Sequence, residues 1–210
     1  MRLTTTTNVS VDGVMQGLGG PDEDRSGGFD RGGWAMPLLD AEAGDYLNRV
    51  YGSAAAFLFG RRTYEIFAGY WGAMADPSTN PIAAALNSRP KYVVSTSLAD
   101  PQWAGTTVLH GDVAATLGDL KAHHDGDVLV PGSGVLVRWL LANDLVDQLD
   151  LVTYPVIVGQ GTRLFPESGP DIALDLVSSR TTSRGITIQT YRPRGRPEYA
   201  TSTVDPGDVF

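Results

Sequence analysis

Residues Val128–Leu141 read VLVPGSGVLVRWLL: an apolar run, the turn Gly132-Ser133-Gly134, and then apolar residues at helical spacing. A strand that passes through a glycine turn straight into a helix is the unit from which α/β folds are built. It also builds a place for an anion. The first N–H groups of the helix have no partner in their own helix and carry the positive end of its dipole. Glycines let a phosphate approach the backbone closely. The tripeptide alone leaves two readings open, a tight βα turn without a ligand and a seat for the pyrophosphate of a nucleotide cofactor.

Composition narrows the partners. Of 210 residues, 42% are hydrophobic and 19% charged, enough apolar material for a sizeable core. The net charge is −8 and the only lysines are Lys91 and Lys121, which argues against nucleic acid or an anionic membrane as the main partner. The absence of cysteine excludes disulfides, Cys-ligated zinc and thiolate catalysis. The histidines are His110, His123 and His124, and the adjacent pair in HHDGD reads as a solvated turn, so no metal is expected. No run of 18 apolar residues occurs, and a cytoplasmic protein is expected.

Along the chain, Thr4–Val11 reads as a strand and Gly17–Gly33 as a long Gly-, Asp- and Pro-rich loop. Helices are expected over Leu38–Tyr51, Thr63–Tyr70, Pro81–Leu86, Val113–His123 and Val135–Ala142. Strands are expected over Ala54–Phe59, Lys91–Ser95, Thr107–Leu109, Asp127–Val130 and Asp150–Val158. Two more follow near Ile172–Ser179 and Ile186–Arg192, with no helix between them. The pattern gives an α/β fold with a mostly parallel central sheet, helices on both faces and an antiparallel C-terminal edge. One domain spans residues 1–192, followed by a flexible tail from 193 to 210.

Three expected strand ends carry phosphate-type chemistry. Gly60-Arg61-Arg62-Thr63 opens a helix, and two adjacent arginines can hold a dianion through charge-assisted bonds. Ser95-Thr96-Ser97 offers hydroxyls at a second end, and Gly132-Ser133-Gly134 is the third. Ligands of open α/β sheets bind beyond the carboxyl ends of the strands. The glycine turn lacks the third glycine of the usual dinucleotide fingerprint, and no tyrosine stands four residues before either lysine. An ordinary Rossmann or short-chain dehydrogenase is therefore disfavoured.

Taken together, Ser10-Val11-Asp12-Gly13, Gly60–Glu65, Val94–Ser97, Gly132–Leu136 and Leu145-Val146-Asp147 resemble the dihydrofolate-reductase-like reductases. So does the stretch from Tyr154-Pro155 through Gly159-Gln160-Gly161 to Leu164-Phe165. The nearest group is the reductase domain of bacterial riboflavin biosynthesis. The resemblance implies a dihydrofolate-reductase-like fold, a homodimer and NADPH as cofactor. It places the adenosine ribose and its 2′-phosphate on Arg61 and Arg62 with Ser95 or Thr96. The pyrophosphate then falls to Thr63 and the turn formed by Gly132, Ser133, Gly134, Val135 and Leu136, beside Gly60. Independently, two arginines with no ribose-binding acid nearby favour NADPH over NADH.

On the substrate side, Asp12 is expected at the mouth of the site, holding or protonating a nitrogen heterocycle. Asp-Gly is also a common turn pair, so a purely turn-forming Asp12 stays open. Trp34, in a glycine-flanked loop, and Tyr154 are the candidate substrate contacts. The resulting expectation is a reductase acting with NADPH on a small heterocyclic or carbonyl/imine molecule. The alternative from a different class is a non-catalytic cofactor-binding module used for dimerisation or sensing. A third reading is a flavin or deazaflavin reductase using the same anion sites.

Overall fold

The computed structural model describes residues 1–123 and 125–200, except for the side chain of His123. The expected His123-His124 turn therefore lies outside the described residues, as does the tail from 201 to 210.

The strands are β1 (Arg2–Ser10), β2 (Ala56–Gly60), β3 (Lys91–Val94), β4 (Thr106–Leu109), β5 (Asp127–Pro131), β6 (Gln148–Tyr154), β7 (Leu174–Thr181) and β8 (Thr187–Pro193). The helices are α1 (Ala41–Ser53), α2 (Arg61–Tyr70), α3 (Pro81–Ser88), α4 (Val113–His123) and α5 (Gly134–Ala142). One eight-stranded sheet runs in the order β4-β3-β2-β5-β1-β6-β8-β7. The pairings from β4 across to β6 are parallel, while β8 runs antiparallel to both β6 and β7.

Residues of α1, α2 and α3 pack around Phe57, Phe59, Val93 and Leu129 on one face. Residues of α4 and α5 pack around Leu3, Leu58, Val128, Val130 and Leu149 on the other. Central strands buried on both faces need apolar or β-branched side chains throughout, and the run Phe57-Leu58-Phe59 is fully buried. The β-branched run Thr4–Thr7 in β1 is buried as well, and none of its four hydroxyls has a protein partner.

Boundaries depart from the sequence reading at several places. The first helix begins at Ala41 rather than Leu38, because the Asp40 carboxylate caps it by accepting from the Ala43 N–H at 2.8 Å. The strand expected to reach Val158 ends at Tyr154. Its neighbours stop there, with Ser10 opposite Tyr154 and Thr187 opposite Thr153, and Pro155 has no N–H to extend the ladder. The last strand pair starts later than expected, and β7 forms the sheet's exposed edge with a bulge between Leu176 and Ser178.

The described part of the C-terminal tail is tied to the segment before β7. Arg194 and Gly195 exchange backbone bonds with Ala173, and Arg196 and Tyr199 both donate to Asp171.

Candidate functional site

β3, β2 and β5 are parallel neighbours, so the three strand ends singled out above lie side by side on one edge of the sheet. From two of them a helix starts at once, α2 after Gly60 and α5 after Ser133. Ser133 sits in the left-handed region (φ 61°, ψ 58°), a conformation that costs a non-glycine residue about 1 kcal/mol or more. There its Oγ accepts from the Gly60 N–H at 3.0 Å, cross-linking the two strand ends. The hydroxyl therefore does not cap its own helix, and Gly60 has no side chain with which to cap α2. Two helix N-termini, neither with a side-chain cap, thus face the same space with their first-turn N–H groups lacking intrahelical acceptors.

Gly132 has φ +69°, the left-handed region again. At Gly134 a Cβ would stand 2.6 Å from Met15 Sδ, so β1's loop packs against the bare backbone of the turn. Close backbone approach is what glycine supplies here.

These elements border a cleft of about 250 Å³. Gly60, Arg61, Arg62, Thr63, Gly132, Gly134 and Val135 line it, and Val135 is 75% exposed. Ser133 and Leu136 are buried behind this wall, the first bridging to Gly60 and the second in the core. Ser95 and Thr96 stand one strand further out, and neither borders the cleft. Ser95 Oγ is engaged locally, accepting from the N–H groups of Ser97 and Leu98 at 3.1 and 2.9 Å.

The opposite wall was not legible in the sequence. It comes from the Gly-rich loop and from β1, through Met15, Gln16, Glu23, Asp24, Thr6 and Asn8. Gln16 is buried and clamps this wall. Its Oε1 accepts from Thr162 N–H (2.9 Å) and Oγ1 (3.1 Å), while its Nε2 faces oxygens of Asp24 and Ser26 at 2.9–3.2 Å. Asp24 in turn forms a 2.5 Å ion pair with Arg62, and Arg61 lies 3.8 Å from Glu65. Thr6 and Thr7 border the cleft, but their hydroxyls are buried and have no protein partner.

Asp12 is not in this wall. Its carboxylate accepts from the N–H groups of Val158 and Gly159 at 2.9 and 2.8 Å and from Ser10 Oγ at 2.7 Å, and Arg163 stands 3.5 Å away. Burial pushes its pKa up, but the hydrogen bonds from Ser10, Val158 and Gly159 outweigh that and hold it at about 2. At neutral pH it is an anion, and its hydrogen bonds hold the Val158–Gly159 turn.

Trp34 donates from Nε1 to the Gln16 carbonyl at 2.8 Å and packs edge-on against Tyr154, ring centroids 5.7 Å apart. Tyr154 is fully buried, and burial pushes its phenol up to about 12. Tyr154 reaches the cleft only through Asn8, whose Oδ1 is 3.4 Å from the phenol oxygen. Arg31 donates to the Val158 carbonyl and Arg163 to the Asp12 carbonyl, so both serve the same turn.

Among the described residues no cluster of His, Cys, Asp and Glu could hold a metal ion, and no helix is long and apolar enough to cross a membrane.

Residues 2–188 match the family model described as the RibD C-terminal domain. A curated relative, the uncharacterized protein YyaP of Bacillus subtilis strain 168, is 25% identical over 197 residues, covering 92% of this chain and 96% of that one. Among solved structures, a putative riboflavin biosynthesis protein from Shewanella sp. PV-4 shares the fold with a TM-score of 0.67 at 18% identity, over 92% of this chain and 99% of that one. A pyrimidine reductase-like protein from Corynebacterium diphtheriae superposes with a TM-score of 0.60 at 16% identity, over 92% of each chain. Dihydrofolate reductase from Enterococcus faecalis, complexed with NADP(H), gives 0.58 at 18% identity, over 91% of this chain and 96% of that one. The dihydrofolate-reductase-like fold expected from the sequence is thus the fold observed.

Proposed function

Because the chain belongs to the RibD C-terminal domain family, a reductase-type family, we propose that it is an NADPH-dependent reductase of a small heterocyclic, carbonyl or imine substrate. The observation that carries this reading is the pair of uncapped helix starts, cross-linked by Ser133 and Gly60 and flanked by Arg61, Arg62 and Thr63. The donor set suits the group. Bare glycine backbone and first-turn N–H groups are what a pyrophosphate needs, and a paired arginine entrance suits a 2′-phosphate.

In this reading Thr63 and Gly132–Leu136 hold the pyrophosphate. Arg61 and Arg62 read the 2′-phosphate, with Ser95 or Thr96 at the adenosine end. NADPH, when bound, supplies the hydride. The chain's own residues orient it, and Met15, packed against Gly134, helps to limit water. Asp12 supports the substrate side by fixing the Val158–Gly159 turn, and Trp34 and Tyr154 back the wall through Gln16 and Asn8. With Asp12 ionised and engaged, the proton that completes the reduction comes from water at the cleft mouth.

The test is loss of nicotinamide absorbance when the protein meets NADPH and a panel of pteridines, pyrimidines, small carbonyls and imines. Turnover abolished by Arg61→Ala with Arg62→Ala supports the reading. Tight NADPH binding with no turnover on any class would leave the non-catalytic cofactor-binding module instead.

A homodimer is part of the same proposal, supported by the edge strand. Every residue of β7 is exposed, including Leu174, Leu176 and Val177. Antiparallel pairing of two copies about a twofold between Val177 and Ser178 sets Asp175 of one copy opposite Arg180 of the other, and the reverse. A dimer in sedimentation that Leu176→Glu converts to monomer agrees with this. A wild-type monomer at working concentration contradicts it.

A further inference from the structure

The two arginines at the start of α2 are not alone in the cleft. Among the described residues the charged side chains that line it are Arg61, Arg62, Glu23 and Asp24, two cations and two anions that cancel. An entrance built for a phosphate-bearing ligand is therefore already neutralised, and Asp24 does most of this by direct contact. Its Oδ1 lies 2.5 Å from Arg62 Nη2, across a sequence separation of 38 residues. The carboxylate side chain is only 12% exposed, whereas that of Arg62 is 59% exposed. Asp24 is thus set in the loop, and Arg62 is the partner that remains reachable from solvent.

Asp24 is also wired to the rest of the loop. The same Oδ1 accepts from Ser26 N–H at 3.0 Å, Ser26 Oγ at 2.7 Å and Gln16 Nε2 at 3.2 Å. Gln16 continues the connection to Thr162. An anion arriving at Arg62 meets the Asp24 carboxylate at hydrogen-bond range. Two anions on one guanidinium repel, and the repulsion is strongest where water is excluded. Any movement of Asp24 pulls on Ser26 and Gln16 and so on the loop that forms the cleft's second wall.

We propose that Asp24 is an internal competitor for Arg62, so that a phosphate claiming this arginine displaces Asp24 and releases the Gly17–Gly33 loop. This rests on the reading of Arg62 as a phosphate contact. It makes Asp24 a determinant of how strongly the site distinguishes a 2′-phosphorylated ligand from an unphosphorylated one, a role that no glycine or arginine motif encodes.

The experiment compares wild type with Asp24→Asn, using 2′,5′-ADP and 5′-AMP as probes in calorimetric titrations. Tryptic cleavage after Arg25 and Arg31, both inside the loop, serves as a second readout. Asp24→Asn is expected to bind 2′,5′-ADP about fivefold more tightly than wild type, as removal of one partly exposed ion pair allows. Its affinity for 5′-AMP should change less than twofold. In wild type 2′,5′-ADP should speed cleavage of the loop, while in Asp24→Asn cleavage should be fast with or without it. If both proteins bind both probes with the same ratio of affinities, the competitor role is overturned and the cofactor reading stands. Should neither protein bind 2′,5′-ADP, the phosphate reading of Arg62 fails and the competitor role with it. A circular dichroism melt of Asp24→Asn matching wild type excludes unfolding as the source of faster cleavage.

Discussion

The end of β2 and β5 and the turn around Asp12 look alike in sequence. Each follows a strand, each contains glycine, and each offers charged or hydroxyl side chains. Their structures divide them. At Gly60–Thr63 and Gly132–Val135 the backbone donors of two helix starts lack side-chain caps. At Asp12, by contrast, the carboxylate is met by Val158, Gly159, Ser10 and Arg163. A ligand can be recognised only by groups that the fold has not already satisfied. The first region has such groups in quantity, and the second uses its polar groups to hold a turn. The same distinction applies inside the cleft, where Arg62 is half claimed by Asp24.

The largest effect is expected from removing the charges of the first region. Arg61→Ala with Arg62→Ala is expected to weaken NADPH binding about 100-fold, in line with roughly 1.5–3 kcal/mol for a hydrogen bond to a charged group. NADH binding and the melting temperature should barely move. Equal loss for both cofactors would remove the arginines from the 2′-phosphate.

The second region should respond in the opposite sense. Asp12→Ala leaves the N–H groups of Val158 and Gly159 without their acceptor, at a cost of about 2 kcal/mol in stability. NADPH affinity should stay within about twofold, because the turn lies outside the cofactor wall. Chemical denaturation and a cofactor titration on the same preparation read both quantities. A loss of affinity with unchanged stability would return Asp12 to the site.

Acid sharpens the same point. Asp12 is held at about 2 in the folded protein, below the ordinary aspartate value of 3.8. A carboxyl depressed by folding stabilises above its unfolded pKa and loses that contribution as pH falls through the folded one. The stability gap between wild type and Asp12→Asn is therefore expected to be full near pH 5 and to shrink between pH 3.8 and about 2. After solvent screening this ionisation contribution is of the order of 1 kcal/mol. A gap that stays constant over that range would show that the carboxylate charge contributes nothing.

The smallest effect belongs to the link between the two helix starts. Ser133→Gly removes the Oγ acceptor of the Gly60 N–H but relaxes a left-handed serine. The two changes oppose each other, so stability should shift by less than about 1 kcal/mol. Cofactor affinity should fall a few fold, since the strand ends lose their cross-link. Unchanged affinity would mean that the helix starts hold their alignment without it.

Much of this was legible before the structure. Local patterns, such as Phe57-Leu58-Phe59 for a strand buried on both faces and Gly132-Ser133-Gly134 for a βα turn, depend on neighbours in sequence and read correctly. The second wall of the cleft did not, because Asp24 meets Arg62 and Gln16 meets Thr162 only after long segments close on one another. Ser133 misled in a smaller way. It reads as part of a ligand turn, yet its hydroxyl reaches across to Gly60. The Val158 boundary failed for a similar reason, since where β6 ends is decided by where β1 and β8 end.

Whether the β2 and β5 ends form an NADPH site is read by a calorimetric titration of the wild-type protein with NADPH and, separately, with NADH. Single-site binding at least tenfold tighter for NADPH is the expected result. Equal affinity for the two, or no binding of either, would contradict it.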